Sequence, residues 1–178
     1  MYRRLGRHGH HEHASHQHHS HAGHCAVIRM LDRLQLLIVH TCAHRDQPIY
    51  SVDMVEHIID EVDEMHDEVE EIAEELCHFA DHIEAYMEAK KALCDLKGIF
   101  DDLHEKLHEG LCGACVTTPP QMPANPSQLP SYPPMHAEKI RNALMEACPR
   151  IRREYDDLVH DMHRLGLISK EIKSTHVL

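Results

Sequence analysis

The chain has 178 residues, a formal charge of −12, 21 histidines, two phenylalanines and no tryptophan, which allows one domain plus appendages and a thin supply of large core side chains. The acidic excess disfavours nucleic acid as a partner, and the longest apolar run, Leu36 to Val39, is far too short to span a membrane or form the core of a secretory leader. Seven cysteines in a chain that is neither short nor patterned like a disulfide scaffold fit a reducing, intracellular compartment.

Residues 1–24 form a low-complexity tail with nine histidines and almost nothing apolar. Alone it cannot recover the entropy cost of folding, so it is expected to be disordered. Dense neutral imidazoles bind zinc, nickel or copper adaptably, and His10, His11, His13, His18 and His19 are candidate ligands. Arg3, Arg4 and Arg7, with no acid before Glu12, have the charge of an organellar presequence, but the histidine run that follows offers no amphipathic helix.

Cys25 to His44 reads as a first helix, with Val27, Met30, Leu31, Leu34, Leu37 and Ile38 on one face. A connector through Arg45 and Pro48 follows, and Ser51 is placed to cap the next helix. From Val55 to Leu111 apolar residues then recur at alternating steps of three and four. With Val55 as heptad position a, the d positions are Ile58, Met65, Ile72, Phe79, Tyr86, Leu93, Phe100 and Leu107. A single helix over this span would be about 85 Å long. The e positions add Ile59, Ala73, Ala80, Met87 and Cys94, a seam wide enough for a bundle. A helix this long cannot bury such a seam on itself, so Val62, Met65, Val69, Ile72, Leu76, Phe79, Ile83 and Tyr86 are expected to form an interface with a partner. Near Gly98 the signals conflict. Lys90, Lys91 and Lys97 resemble a helix end and Asp101, Asp102 and Glu105 a new start, yet the seam keeps its phase through them.

Sixteen acidic residues and no Lys or Arg lie between Arg45 and Lys90, which fits a solvated face or a basic protein partner. The i,i+3 pairs Glu61/Glu64, Glu68/Glu71 and Glu71/Glu74 fall outside the seam and are expected to face solvent. Residues 117–134 are a Pro-rich linker, and 135–178 hold a C-terminal helix and tail. In that helix Pro149 restarts or kinks the chain, Gly166 suits its end, and Arg150, Arg152 and Arg153 form a basic knot that could meet the acidic face.

Chemistry could also sit at His104, His108, Cys112 and Cys115, a His pair at i,i+4 and a Cys-x-x-Cys half-site for zinc. Gly110 and Gly113 would have to let the backbone curl, because in a straight helix the outer ligands are about 16 Å apart. His pairs four apart also occur at His40/His44 and His78/His82. The Glu-x-x-His spacings at Glu75/His78 and Glu105/His108 resemble those of di-iron bundles, but in the heptad frame three of the four residues miss the core. No phosphate loop, nucleophile elbow or Ser/His/Asp set is present.

The sequence therefore predicts an all-α chain in four stretches, 1–24 tail, 25–116 helical bundle or coiled coil, 117–134 linker and 135–178 C-terminal helix. The expected role is non-enzymatic: a structural or interaction protein that self-associates or docks on other proteins through its seam. The alternative is a protein that handles or stores divalent Zn, Ni or Cu.

Overall fold

The structure is a computed structural model that describes residues 15–79, 83–117 and 134–167. It is all-helical, with α1 at Ser15–Ala43, α2 at Val52–Leu76, α3 at Ile83–Thr117 and α4 at Pro134–Arg164. Short 3-10 turns follow α1 at His44–Asp46 and α2 at Cys77–Phe79. The helices pack α1 on α2, α2 on α3, α3 on α4 and α4 back on α1.

Ion pairs give the direction of each contact. Along α2 and α3, Glu70 meets Lys97, His66 meets Asp101 and Asp63 meets His104, so one helix ascends as the other descends. Arg33 with Glu68 and Thr41 with Glu61 make α1 and α2 antiparallel. Lys106 with Glu146 and Arg164 with Glu88 do the same for α3 and α4. The result is an up-down-up-down four-helix bundle.

The seam residues are buried, but within this one chain. Val55, Ile58, Val62, Met65, Val69, Ile72 and Leu76 of α2 share a core with Leu93, Leu96, Phe100, Leu103 and Leu107 of α3. The expected 85 Å helix is replaced by a hairpin that folds the seam onto itself. Five of the predicted interface residues, Val62, Met65, Val69, Ile72 and Leu76, thus have no free surface left for a partner, while Tyr86 packs half-buried at the core's edge. The side chains of Phe79 and Ile83 lie outside the described residues. Gly98 does not break α3, and a Cβ built there meets nothing within 4 Å.

Two further expectations change, and a third falls on residues that are not described. The tail was expected to be disordered to residue 24, but α1 begins at Ser15. The C-terminal helix is not a separate piece, since α4 packs along α3 and α1 and runs unbroken through Pro149. The linker prolines from 119 to 133 lie outside the described residues.

Local signals worked at the helix ends. Ser51 Oγ accepts from the Met54 N–H at 3.1 Å and caps α2. Gly166, at φ +73°, closes α4, with Leu167 N–H donating to Met162 O and Gly166 N–H to His163 O, both at 3.0 Å. On α4, Tyr155 donates to the Leu31 carbonyl at 3.1 Å, and burial pushes its phenol pKa up. A disulfide joins Cys42 of α1 to Cys148 of α4, with Cα atoms 5.8 Å apart and 106 residues between them in sequence.

Candidate metal centre

Where α1 ends and α2 begins, a polar cluster is built around one carboxylate. Glu61 of α2 is 6% exposed, although the heptad frame placed it outside the seam on the solvent face, an expectation that fails for the buried Glu68 as well. The reason is the position of Glu61 beside the seam, where the last turns of α1 cover it. Thr41, wholly buried, donates its hydroxyl to Glu61 Oε2 at 3.1 Å. Three imidazoles surround the same carboxylate. His57 Nε2, one turn earlier on α2, is 3.4 Å from Oε1, His44 Nε2 is 3.7 Å from Oε2, and His40 Nδ1 is 3.9 Å from Oε1.

Burying a carboxylate is costly without a counter-charge. Among the described residues no Lys or Arg pairs with Glu61; its partners are a hydroxyl and histidines. Two of the imidazole separations are longer than a hydrogen bond. The third, His57 to Glu61 at 3.4 Å, is close to the about 3.3 Å between ligand atoms that sit 2.0–2.1 Å from a tetrahedral zinc ion. Donor atoms of His44, His57 and Glu61 all lie within 4.8 Å of one another, close enough to hold a metal ion.

His44 is suited to ligation. Burial lowers its pKa from the ordinary 6.5, against the pull of Glu61 and with help from His57 and His40, so the ring is neutral at pH 7. Its Nδ1 is buried without a hydrogen-bond partner. The turn that carries it is held from outside: Tyr50 OH donates to the His44 carbonyl at 2.7 Å, and Arg141 of α4 donates to the Gln47 carbonyl at 2.9 Å. The Arg141 guanidinium also lies over the Tyr50 ring, 5.7 Å from its centroid.

Other histidine–carboxylate meetings are more open. His66, Asp67 and Glu70 form a second cluster with ligand spacing on the exposed side of α2. There Lys97 hydrogen-bonds Glu70 and holds its carboxyl below the usual range, while His66 Nε2 is 3.4 Å from Asp101. A cleft between α3 and α4 is lined by Glu88, Lys91, Glu154, Asp157, His160 and Asp161, with Arg164 pairing to Glu88 and Asp161.

The predicted four-ligand set on α3 does not close. α3 runs without a break from Ile83 to Thr117, so His104 and Cys115 stay about 16 Å apart along its axis. His104 instead faces Asp63 of α2 at 3.2 Å and stacks edge-on with His108 at 4.5 Å between centroids. His108 and Cys112 are exposed, and the side chain of Cys115 is outside the described residues. His18 and His19 lie on the first turns of α1 without described side chains, and His10, His11 and His13 lie outside the described residues. Among the described residues the basic knot makes no ion pair with the acidic face; Arg153 pairs with its neighbour Glu154, and Arg33 and Lys97 serve α2 instead.

The sequence singled out His40 and His44 but missed His57 and Glu61. Their i,i+4 spacing is a readable signal only once α2 is known to return along α1. No family model, curated protein or solved structure matches this chain.

Proposed function

We propose that this protein is a non-enzymatic helical bundle that binds a divalent transition metal, zinc by the chemistry of its donors, through His44, His57 and Glu61. The observation that carries this reading is Glu61: a buried carboxylate faced by imidazoles and, among the described residues, by no Lys or Arg. A metal ion supplies the missing positive charge and fits the nitrogen and oxygen donors. Thr41 orients the carboxylate, as outer-shell donors do in metal sites. His40, whose Nδ1 is 3.9 Å from Glu61 Oε1, stands just outside this three-donor set, and a site closed by a fourth protein ligand would suit holding or passing on a metal rather than turning over a substrate. The histidine-rich N-terminal segment gives the same chain a second, adaptable reservoir for such ions.

The test is cobalt substitution of the full chain. One equivalent of tetrahedral cobalt, recognised by its intense visible absorption and absent in Glu61→Gln and His57→Ala, is expected. An identical spectrum in wild type and both variants would sink the assignment.

A second reading, docking on a basic protein surface, is favoured by the exposed carboxylates Asp60, Asp67, Glu71 and Glu74 of α2, which pair with no Lys or Arg among the described residues. Salt-sensitive binding to a basic partner, lost on neutralising Glu71 and Glu74, is its test.

A further inference from the structure

The disulfide and the metal ligands share one turn of chain. Cys42 lies next to Thr41, which donates to Glu61, and two residues before His44. Its partner Cys148 belongs to α4, the helix that also supplies Arg141 to the carbonyls of Gln47 and Pro48. The end of α1 is therefore clamped between α2, which carries His57 and Glu61, and α4, which contributes no ligand to the cluster. Within the clamp the covalent link is the element that chemistry can switch.

We propose that the Cys42–Cys148 disulfide controls metal affinity at His44, His57 and Glu61, holding the site assembled when oxidised and loosening it when reduced. This rests on the metal-binding reading above. The switch is a two-electron exchange with a dithiol: the Cys42–Cys148 bond breaks, each sulfur gains one electron and one proton, and the dithiol leaves as its own disulfide. The reverse reaction needs a disulfide-class oxidant. Both sulfurs belong to buried residues, so exchange requires the α1–α4 contact to open. Opening displaces Thr41 and the turn that presents His44, and a ligand no longer fixed must be ordered at the moment of binding. Neither cysteine is a ligand in this scheme. Each is a positioning residue, and its loss should act on affinity as an outer-shell change does, by about 10–100-fold.

The experiment compares zinc affinity, by competition with a chromogenic chelator, for the oxidised full chain and for Cys42→Ser/Cys148→Ser. His57→Ala in each background separates this site from the histidine-rich segment. The expected result is a folded double variant, checked by circular dichroism, whose His57-dependent affinity falls at least tenfold. Should the double variant misfold, dithiol reduction of the folded wild type followed by removal of the dithiol gives the same comparison. Unchanged affinity in the reduced state overturns the coupling but leaves the metal site standing. Tighter binding on reduction also overturns it, because a thiolate would then be acting as a ligand. If His57→Ala has no effect even in the oxidised protein, the metal site itself is wrong.

Discussion

Histidine meets carboxylate on both sides of α2, with different consequences. Towards α1, His40, His44 and His57 converge on Glu61, which is shielded from water and fixed by Thr41. Towards α3, His66 pairs with Asp101 and His104 with Asp63, aspartates whose side chains are 64% and 60% exposed. Exposed pairs of this kind are worth little, because water already solvates both partners. The residue types are the same. What distinguishes the α1 side is convergence on a desolvated carboxylate that no Lys or Arg pairs with among the described residues.

The sharpest way to break this contrast is to exchange the two sides. Glu61→Gln should lower zinc affinity by more than about 100-fold, beyond the range typical of outer-shell changes. His66→Ala and His104→Ala should leave that affinity unchanged and alter stability by less than about 0.5 kcal/mol. Equal losses on both sides, measured by chelator competition and urea unfolding, would remove the distinction. Thr41→Val is an intermediate case. It deletes the hydroxyl that orients Glu61 and should cost about tenfold in zinc affinity and about 1–3 kcal/mol in stability.

Acidification sharpens the same comparison. The folded pKa of His44 lies below the ordinary 6.5, so below about pH 6.5 the unfolded chain takes up a proton that the folded chain refuses. This contribution lowers metal-free stability as pH falls through 6.5 and levels off below the depressed folded value. Glu68 of α2 acts in the opposite sense. Burial raises its pKa despite Arg33 alongside, so the folded chain binds the proton first, and this part of the stability grows as pH falls from the raised value towards the ordinary 4.5. Urea midpoints from pH 7.5 to 4 should show both slopes. His44→Phe should flatten the upper one and Glu68→Gln the lower.

The smallest predicted effect concerns Gly98. Mid-helix, exposed and with open space where a Cβ would stand, it should accept alanine with a gain of about 0.5–1 kcal/mol in thermal or urea unfolding. A loss would mean that the glycine serves a contact outside the described residues.

Gly98 also shows how far the sequence could be read. The core was legible: every a and d residue from Val55 to Leu76 is buried, and so are Leu93, Phe100 and Leu107 of α3, because antiparallel helices in a bundle use the same stripe as a coiled coil, while Lys90, Lys97 and His104 at a positions are not. The hairpin was not legible. The turn begins at Cys77, in a stretch to His82 with neither Gly nor Pro, while the glycine that resembles a breaker is carried inside α3. An unbroken heptad phase cannot tell a partner in another molecule from the same chain folded back. The candidate cluster was hidden for the same reason, since His44 and Glu61 become neighbours only through the reversal at Gln47–Tyr50.

Pro149 has a consequence for how α4 comes apart. Without an N–H it cannot bond the Met145 carbonyl, so the ladder of α4 has a gap one residue after Cys148. Each side of the gap has its own anchor. The disulfide and Arg141 hold the first half, while Tyr155 and the Gly166 cap hold the second. Amide hydrogen exchange should therefore divide α4 at residue 149 into two units with separate opening free energies. The distal half could then fray towards solvent while the half that braces the turn carrying His44 stays closed.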